Sequence, residues 1–273
     1  MEHNEVFQYV RVLSVAGSDS GGGAGVQADL KTFAALGCYG MSVLTAVTAQ
    51  NSLGVQGIHP VPPAFVREQL HSVLQDLGTD AVKIGMLFSA ECIRTAAGVL
   101  KEHGVQRIVL DPVMVAQSGD KLLEDEAVRA VQSELIPLAD LITPNLPEAA
   151  VLLDRPVESQ DDMEAAARDL AGLGCRAVLL KGGHLRGDHS TDLFYSQEEN
   201  RLETLSAPFI RTNNNHGTGC TLSSAIAACL ARGMDLHSAV KRAKAYISGA
   251  IRAGAHYRLG QGHGPVHHFF EIW

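Results

Sequence analysis

The chain has 273 residues, 46% of them apolar, and a formal net charge of −8. That length and apolar share can bury a full core and suit one domain spanning 1–273. The acidic balance, without any run of like charges, excludes the electrostatic footprint of a nucleic-acid or anionic-membrane partner.

In chain order, the pattern predicts a strand at 10–16, a helix at 24–36, a strand at 41–49, a helix at 64–77 and a strand at 81–84. A helix at 90–103, a strand at 107–110, a helix at 125–135, a strand at 140–143, a helix at 161–173 and a strand at 177–181 follow. Short β-branched runs alternating with helical periods are the signature of βαβ units and an α/β fold with a mainly parallel sheet. The strands are nearly continuously apolar, as strands covered on both faces are. In the helix at 64–77 the stripe is Val66, Leu70, Val73, Leu74 and Leu77. Two further runs, 192–195 and 203–210, flank the polar SQEENRL and read as a hairpin or antiparallel edge. Helices at 219–232 and 236–253 close the pattern.

The N-terminal MEHNEVFQYVRVL lacks the basic and apolar regions of a signal peptide, and no apolar run nears the ~20 residues of a membrane span. A cytoplasmic protein is expected. Five cysteines, odd in number and without a CxxC pair, fit reduced thiols rather than a disulfide frame or zinc site.

Ligands of open α/β sheets sit beyond the carboxyl ends of the strands. At those positions stand GSDSGGGAG, Gln50-Asn51, Gly85-Met86, Asp111-Pro112-Val113, Asn145 to Glu148, Lys181-Gly182-Gly183 and NNNHGTGC. Glycines, amides, carboxylates and a lysine on one rim suit a phosphorylated ligand and a divalent ion. The turn Gly217-Thr218-Gly219-Cys220 opens a helix, so its backbone N–H groups form either an anion cradle or a plain glycine-rich helix entry. A cradle stabilises the charge spread over a transferred phosphoryl group without a charged side chain.

The first glycine loop contains GAGVQA, residues 23–28, which formally satisfies GxGxxA. No Asp or Glu follows between Asp29 and Glu68 to hold a ribose, which disfavours a nicotinamide dehydrogenase. Neither GxxxxGK[ST] nor HRD or DFG occurs. Asp29 lies beside the apolar stripe of its helix and grips a ligand, is solvated at the edge of the stripe, or caps a neighbouring loop. Gln50 is either a ligand-reading amide or a solvated turn residue.

Taken together, the motifs VAGSDSGGGAGVQADLKTFAALGCYG, TAVTAQNSLGV, KIGML, VLDPVMVAQSGD, LITPNLPEAAVLL, LLKGGHL, NNNHGTGCTLSSAIAA and GPVHHFF closely resemble one family in family order. It is the ribokinase-like small-molecule kinases, and within them the bifunctional hydroxymethylpyrimidine and phosphomethylpyrimidine kinases of thiamine biosynthesis. The resemblance implies a three-layer α/β/α sandwich, ATP as co-substrate, Mg²⁺ and a homodimer. It implies that Asp29, Gln50, Met86 and Val113 form the pyrimidine pocket, and that Asp111 and Glu148 order Mg²⁺ through waters. Lys181 and Asn145 are implied at the ATP phosphates. Cys220 stands where most ribokinase-like enzymes carry a catalytic aspartate. At a helix N-terminus its thiol is expected to have a lowered pKa and to act as the base. One departure is Gly21, where the family more often has Ser, which removes a hydroxyl from that loop. A pyridoxal kinase of the same fold is the nearest rival; a dehydrogenase and a non-catalytic pyrimidine sensor are rivals from other classes.

Overall fold

The computed structural model describes residues 7–114, 124–183 and 188–273. Parts of two motifs, 115–120 and 184–185, lie outside them. The chain begins with β1 (Arg11–Ala16), α1 (Gly25–Ala35), β2 (Tyr39–Leu44), β3 (Ala46–Asn51), β4 (Gly54–Pro60), α2 (Pro63–Asp76), β5 (Ala81–Ile84), α3 (Ala90–Glu102) and β6 (Ile108–Leu110). It continues with α4 (Asp125–Ala130), β7 (Leu141–Ile142), α5 (Leu146–Leu153), α6 (Gln160–Ala171) and β8 (Ala177–Lys181). The antiparallel β9 (His189–Ser196) and β10 (Arg201–Pro208) follow, then α7 (Thr218–Ala231) and α8 (Leu236–Gly254).

Eight strands form one sheet in the order β10-β9-β8-β7-β6-β5-β1-β2. Only β9 runs against its neighbours, so the sheet is mainly parallel. Along β8 the pleat sends Val178 and Leu180 to one face and Ala177 and Leu179 to the other, and each pair joins a separate apolar core. The first core is closed by α2 to α6, the second by α1, α7 and α8. These are the three layers expected from the apolar strands.

The strand predicted at 41–49 divides at Thr45, whose N–H bonds to Ala16 O. Its first half stays in the sheet as β2, and its second half pairs with β4 in a separate two-stranded ribbon. β4 is exposed along its whole length, which is why no apolar alternation announced it. The helix predicted at 125–135 is α-helical only to Ala130; a π turn, Val131–Leu135, and a 3₁₀ turn around Pro137 finish it. The unpredicted α5 has a full capping box, in which Asn145 Oδ1 accepts from Glu148 N–H and Glu148 Oε2 accepts from Asn145 N–H.

From β1 the chain moves one way to β2, and from β5 it moves the other way through β6, β7 and β8. The order therefore reverses between β1 and β5, which opens a crevice at the carboxyl ends of those two strands.

Candidate active site

The turn that opens α7 lies on this rim. Gly217 is its N-cap with φ of 78°, and a Cβ there would run into the carbonyl oxygen of Gly23. Only glycine lets the two glycine loops approach this closely. The N–H of Thr218 turns back to Asn215 O at 3.3 Å, and its hydroxyl to the same oxygen at 2.7 Å. The N–H groups of Gly219 and Cys220 stand in the first turn of a 14-residue helix, where no helical carbonyl reaches them. The cradle is thus centred on Gly219 and Cys220, with Thr218 engaged by the turn itself.

Cys220 is half-buried above a charged layer. Burial, with Asp29 and Asp111 adding to it, pushes its thiol up to about 11, against the opposing pull of Lys83 and the N–H of Gly25. The expected lowering is thereby corrected. A helix N-terminus is worth about 1 kcal/mol to a nearby anion, less than the cost of desolvating a thiolate beside two carboxylates.

Beneath Cys220, Lys83 and Asp29 form a fully buried ion pair, with Lys83 Nζ 2.9 Å from each carboxylate oxygen. Asp29 also accepts from Ser14 Oγ at 2.5 Å and Ser224 Oγ at 2.7 Å. Ser14 is the register partner of Lys83 across β1 and β5, which explains their meeting. Burial works against the ammonium, but Asp29, Cys220 and Asp111 outweigh it and hold the Lys83 pKa above its ordinary value. Asp29 is therefore enclosed by protein donors instead of facing the rim, which corrects the expectation of direct ligand contact.

Next to the turn sits a second cluster. Lys181 Nζ lies 3.0 Å from Asp111 Oδ1 and 4.0 Å from Glu148 Oε2. Thr143 Oγ1 donates to Asp111 at 3.1 Å and Ser223 Oγ reaches it at 3.4 Å. Burial opposes the charge of Asp111, but Lys181 and Lys83 keep its carboxyl below the usual range. Burial, together with Asp111, pushes Glu148 up to about 7 against the pull of Lys181. A side chain at Gly219 would point at Lys181 Nζ and Asp111 Oδ2, so the cluster adjoins the cradle directly. Asn145 joins it as the cap of α5, its backbone bridged to Lys181.

The first glycine loop behaves differently from a phosphate cradle. Asp19 accepts from the N–H groups of Gly21 at 2.8 Å, Gly23 at 3.0 Å and Ala24 at 2.8 Å. With those amides held by the loop's own carboxylate, the dinucleotide reading of GxGxxA has no anion site to offer. His216 Nε2 lies 2.9 Å from Asp19 Oδ2 and 3.4 Å from Gln50 Nε2. Ser20, beside Gly21, ties this loop to Gln50: its Oγ donates to Gln50 O and accepts from Gln50 N–H.

Met86 lies over the end of β1, its Cε 2.6 Å from where a Cβ on Gly17 would be, and its carbonyl accepts from Thr45 Oγ1. Val113, half-buried beyond β6, follows Asp111, to whose carbonyl its N–H donates. Gln50 thus reaches His216 at the start of the α7 turn, and Lys181, Asp111 and Glu148 gather beside Gly219 of the same turn. Sequence reasoning passed over Asp19, Ser20, Lys83, Ser14 and Ser224. A lysine inside an otherwise apolar covered strand was the one available signal, for Lys83.

The fold and rim define a small-molecule kinase of ribokinase-like architecture. The family model described as phosphomethylpyrimidine kinase matches residues 19–267. A hydroxymethylpyrimidine/phosphomethylpyrimidine kinase of Rhizobium meliloti is 52% identical over 262 residues, which are 96% of this chain and 97% of the relative. Among solved structures, the phosphomethylpyrimidine kinase from Clostridium difficile 630 superposes with a TM-score of 0.79 at 42% identity, covering 88% of this chain and 99% of the other. The pyridoxal kinase from Staphylococcus aureus in complex with AMP-PCP and pyridoxal superposes with a TM-score of 0.86 at 37% identity, covering 96% and 94%. The chain belongs to the phosphomethylpyrimidine kinase family. Among the described residues, no helix is long and apolar enough to cross a membrane.

Proposed function

We propose that the chain transfers the γ-phosphoryl group of ATP to hydroxymethylpyrimidine and then to its monophosphate, on the route to thiamine diphosphate. The observation that carries this reading is the junction at Gly219, where the α7 turn adjoins the Lys181–Asp111 pair. Phosphoryl transfer is catalysed chiefly by positioning and by charge stabilisation, which this junction provides without covalent chemistry.

In this reading Gly217, Gly219 and Cys220 cradle the transferred group, with Thr218 shaping the turn. Lys181 leaves Asp111 for the ATP phosphates, near the cap formed by Asn145. Gln50, Met86 and Val113 border the pyrimidine, and Asp29 acts from below by holding Lys83 under Cys220. Cys220 is a protonated thiol before substrate binds. It can relay the hydroxymethyl proton as transfer proceeds, giving its own proton to an oxygen of the transferred phosphoryl group as it takes up the substrate's, a modest contribution when the transition state is dissociative.

The oxygen donors Asp111 and Glu148 fit Mg²⁺ held through waters, because the pair already shares a cation in Lys181. The ion would supply charge neutralisation between the phosphates. A homodimer is supported by the exposed apolar side chains of the β3–β4 ribbon, Val47, Val55 and Ile58.

The test is ADP release with hydroxymethylpyrimidine, its monophosphate, pyridoxal and ribose as acceptors. Release with both pyrimidines is expected. No ADP with either pyrimidine would overturn the proposal, and release with pyridoxal alone would establish the rival kinase.

A further inference from the structure

We infer that the outer helical layer carries a second metal site, for a borderline divalent transition ion of the Zn²⁺ class, formed by His71, His103 and Glu102. His71 lies in the middle of α2 and His103 is the C-cap of α3. Their facing nitrogens, His71 Nδ1 and His103 Nε2, are 3.0 Å apart. Glu102 Oε2 is 3.9 Å from His71 Nε2, the ring nitrogen turned away from His103, so the exposed carboxylate must turn on its own side chain to join the facing pair; one donor atom from each of the three residues lies within 4.8 Å of the others.

Two nitrogens 3.0 Å apart can both bind one ion at the usual metal–imidazole distance of about 2.0–2.1 Å, with an angle of about 94° at the metal. That angle lies within the range of four- to six-coordinate ions. Two imidazoles and one carboxylate favour Zn²⁺, Ni²⁺ or Cu²⁺ over the hard Mg²⁺, so this site is chemically distinct from the oxygen donors on the rim.

The donors are also pre-positioned. Leu70, beside His71, and Leu100, one helical turn before His103, are buried in the same core, which fixes the spacing of the two helices. The C-terminal end of α3 carries the negative end of the helix dipole, which favours a cation at His103. Among the described residues, the facing nitrogens have no partner other than each other. A bound ion replaces the single proton they share and crosslinks α2 to α3. Binding therefore stabilises the fold by mass action, while the displaced proton moves to the outer nitrogen of its own ring.

The full-length protein, stripped with a chelator, is titrated calorimetrically with Zn²⁺, and in parallel with Co²⁺ followed by its visible spectrum. One saturable site per chain is expected, with an increase in Tm and no sulfur-to-cobalt charge-transfer band. Outer partners of metal ligands are worth about 10- to 100-fold in affinity, so His71→Gln and His103→Asn should each weaken binding at least about tenfold. Asn is tolerated at a helix C-terminus, and circular dichroism of each metal-free variant checks its fold. ADP release in Mg²⁺ should be unchanged in both variants, since neither residue lies on the rim. Absence of saturable binding, affinity unchanged in both variants, or a sulfur charge-transfer band would each overturn the proposal.

Discussion

Lys83 Nζ sits 2.9 Å from both carboxylate oxygens of Asp29, and neither side chain reaches solvent. Removing one partner of a buried pair leaves an uncompensated charge and costs about 3–5 kcal/mol, whereas removing both is much cheaper. Lys83→Met should therefore destabilise the protein by that amount in urea unfolding. The double variant Lys83→Met, Asp29→Asn should recover part of it. A loss below about 1 kcal/mol, the value of an exposed pair, would mean the two charges contribute little.

Gly217 gives a prediction about the turn itself. Its left-handed φ of 78° and the adjacent carbonyl of Gly23 both exclude a side chain. Gly217→Ala adds about 1–2 kcal/mol of backbone strain and forces the two glycine loops apart. ADP release should fall by more than about tenfold, the equivalent of 1.4 kcal/mol, while the circular dichroism spectrum stays native. Wild-type turnover in this variant would show that the loops need not meet.

The local parts of this site were legible in the sequence. Asn145 and Glu148 follow a strand end, as Lys181 closes one, although the capping box that joins them went unread. The α7 turn announced itself through its glycines. Asp19 did not, because its partner His216 is 197 residues away and no periodicity links them. Asp29 was misjudged for the same reason: its helix showed an acid beside an apolar stripe, but the lysine opposite came from β5 and the hydroxyls from β1 and α7. The thiol of Cys220 was misjudged because a helix start is visible in sequence, whereas the carboxylates packed around it are not.

His268 predicts how the fold responds to acid. It is 5% exposed, Thr221 Oγ1 lies 3.1 Å from its Nε2, and Tyr246 donates to its carbonyl. Burial, aided by Lys31, pulls its pKa down to about 4 from an ordinary 6.5. Between those values the unfolded chain binds the proton and the folded chain does not, so stability is lost as pH falls from 6.5 toward 4. At 1.36 kcal/mol per unit the loss reaches about 3 kcal/mol. Urea unfolding at about pH 7 and pH 4.5 should show a smaller acid loss in His268→Phe than in wild type. Equal losses would assign the acid sensitivity elsewhere. Thr221 follows Cys220 on α7, so the same proton should loosen the turn that opens this helix.

Gln50 should decide which ring the crevice accepts. Its backbone is fixed through Ser20, whose hydroxyl bonds both its N–H and its carbonyl, so a change of side chain leaves the loop in place. Its Oε1 is 3.3 Å from Thr48 Oγ1, while its Nε2 faces His216 Nε2 at 3.4 Å. Burial opposes the charge of Asp19, but hydrogen bonds from His216 and the loop amides keep its carboxyl low, so His216 directs an N–H at it. A nitrogen that donates to Asp19 cannot also accept from Gln50. The amide N–H₂ of Gln50 is thus left to a ligand acceptor, such as a pyrimidine ring nitrogen. Gln50→Met removes that donor while keeping a side chain of similar length. A lost hydrogen bond of about 1.5–3 kcal/mol lowers kcat/KM for hydroxymethylpyrimidine about 10- to 100-fold, with the KM for ATP unchanged. Pyridoxal, measured alongside, should lose less. If the ratio of the two kcat/KM values stays at its wild-type level, the Gln50 amide does not read the pyrimidine, and selectivity must come from the apolar wall of Met86 and Val113.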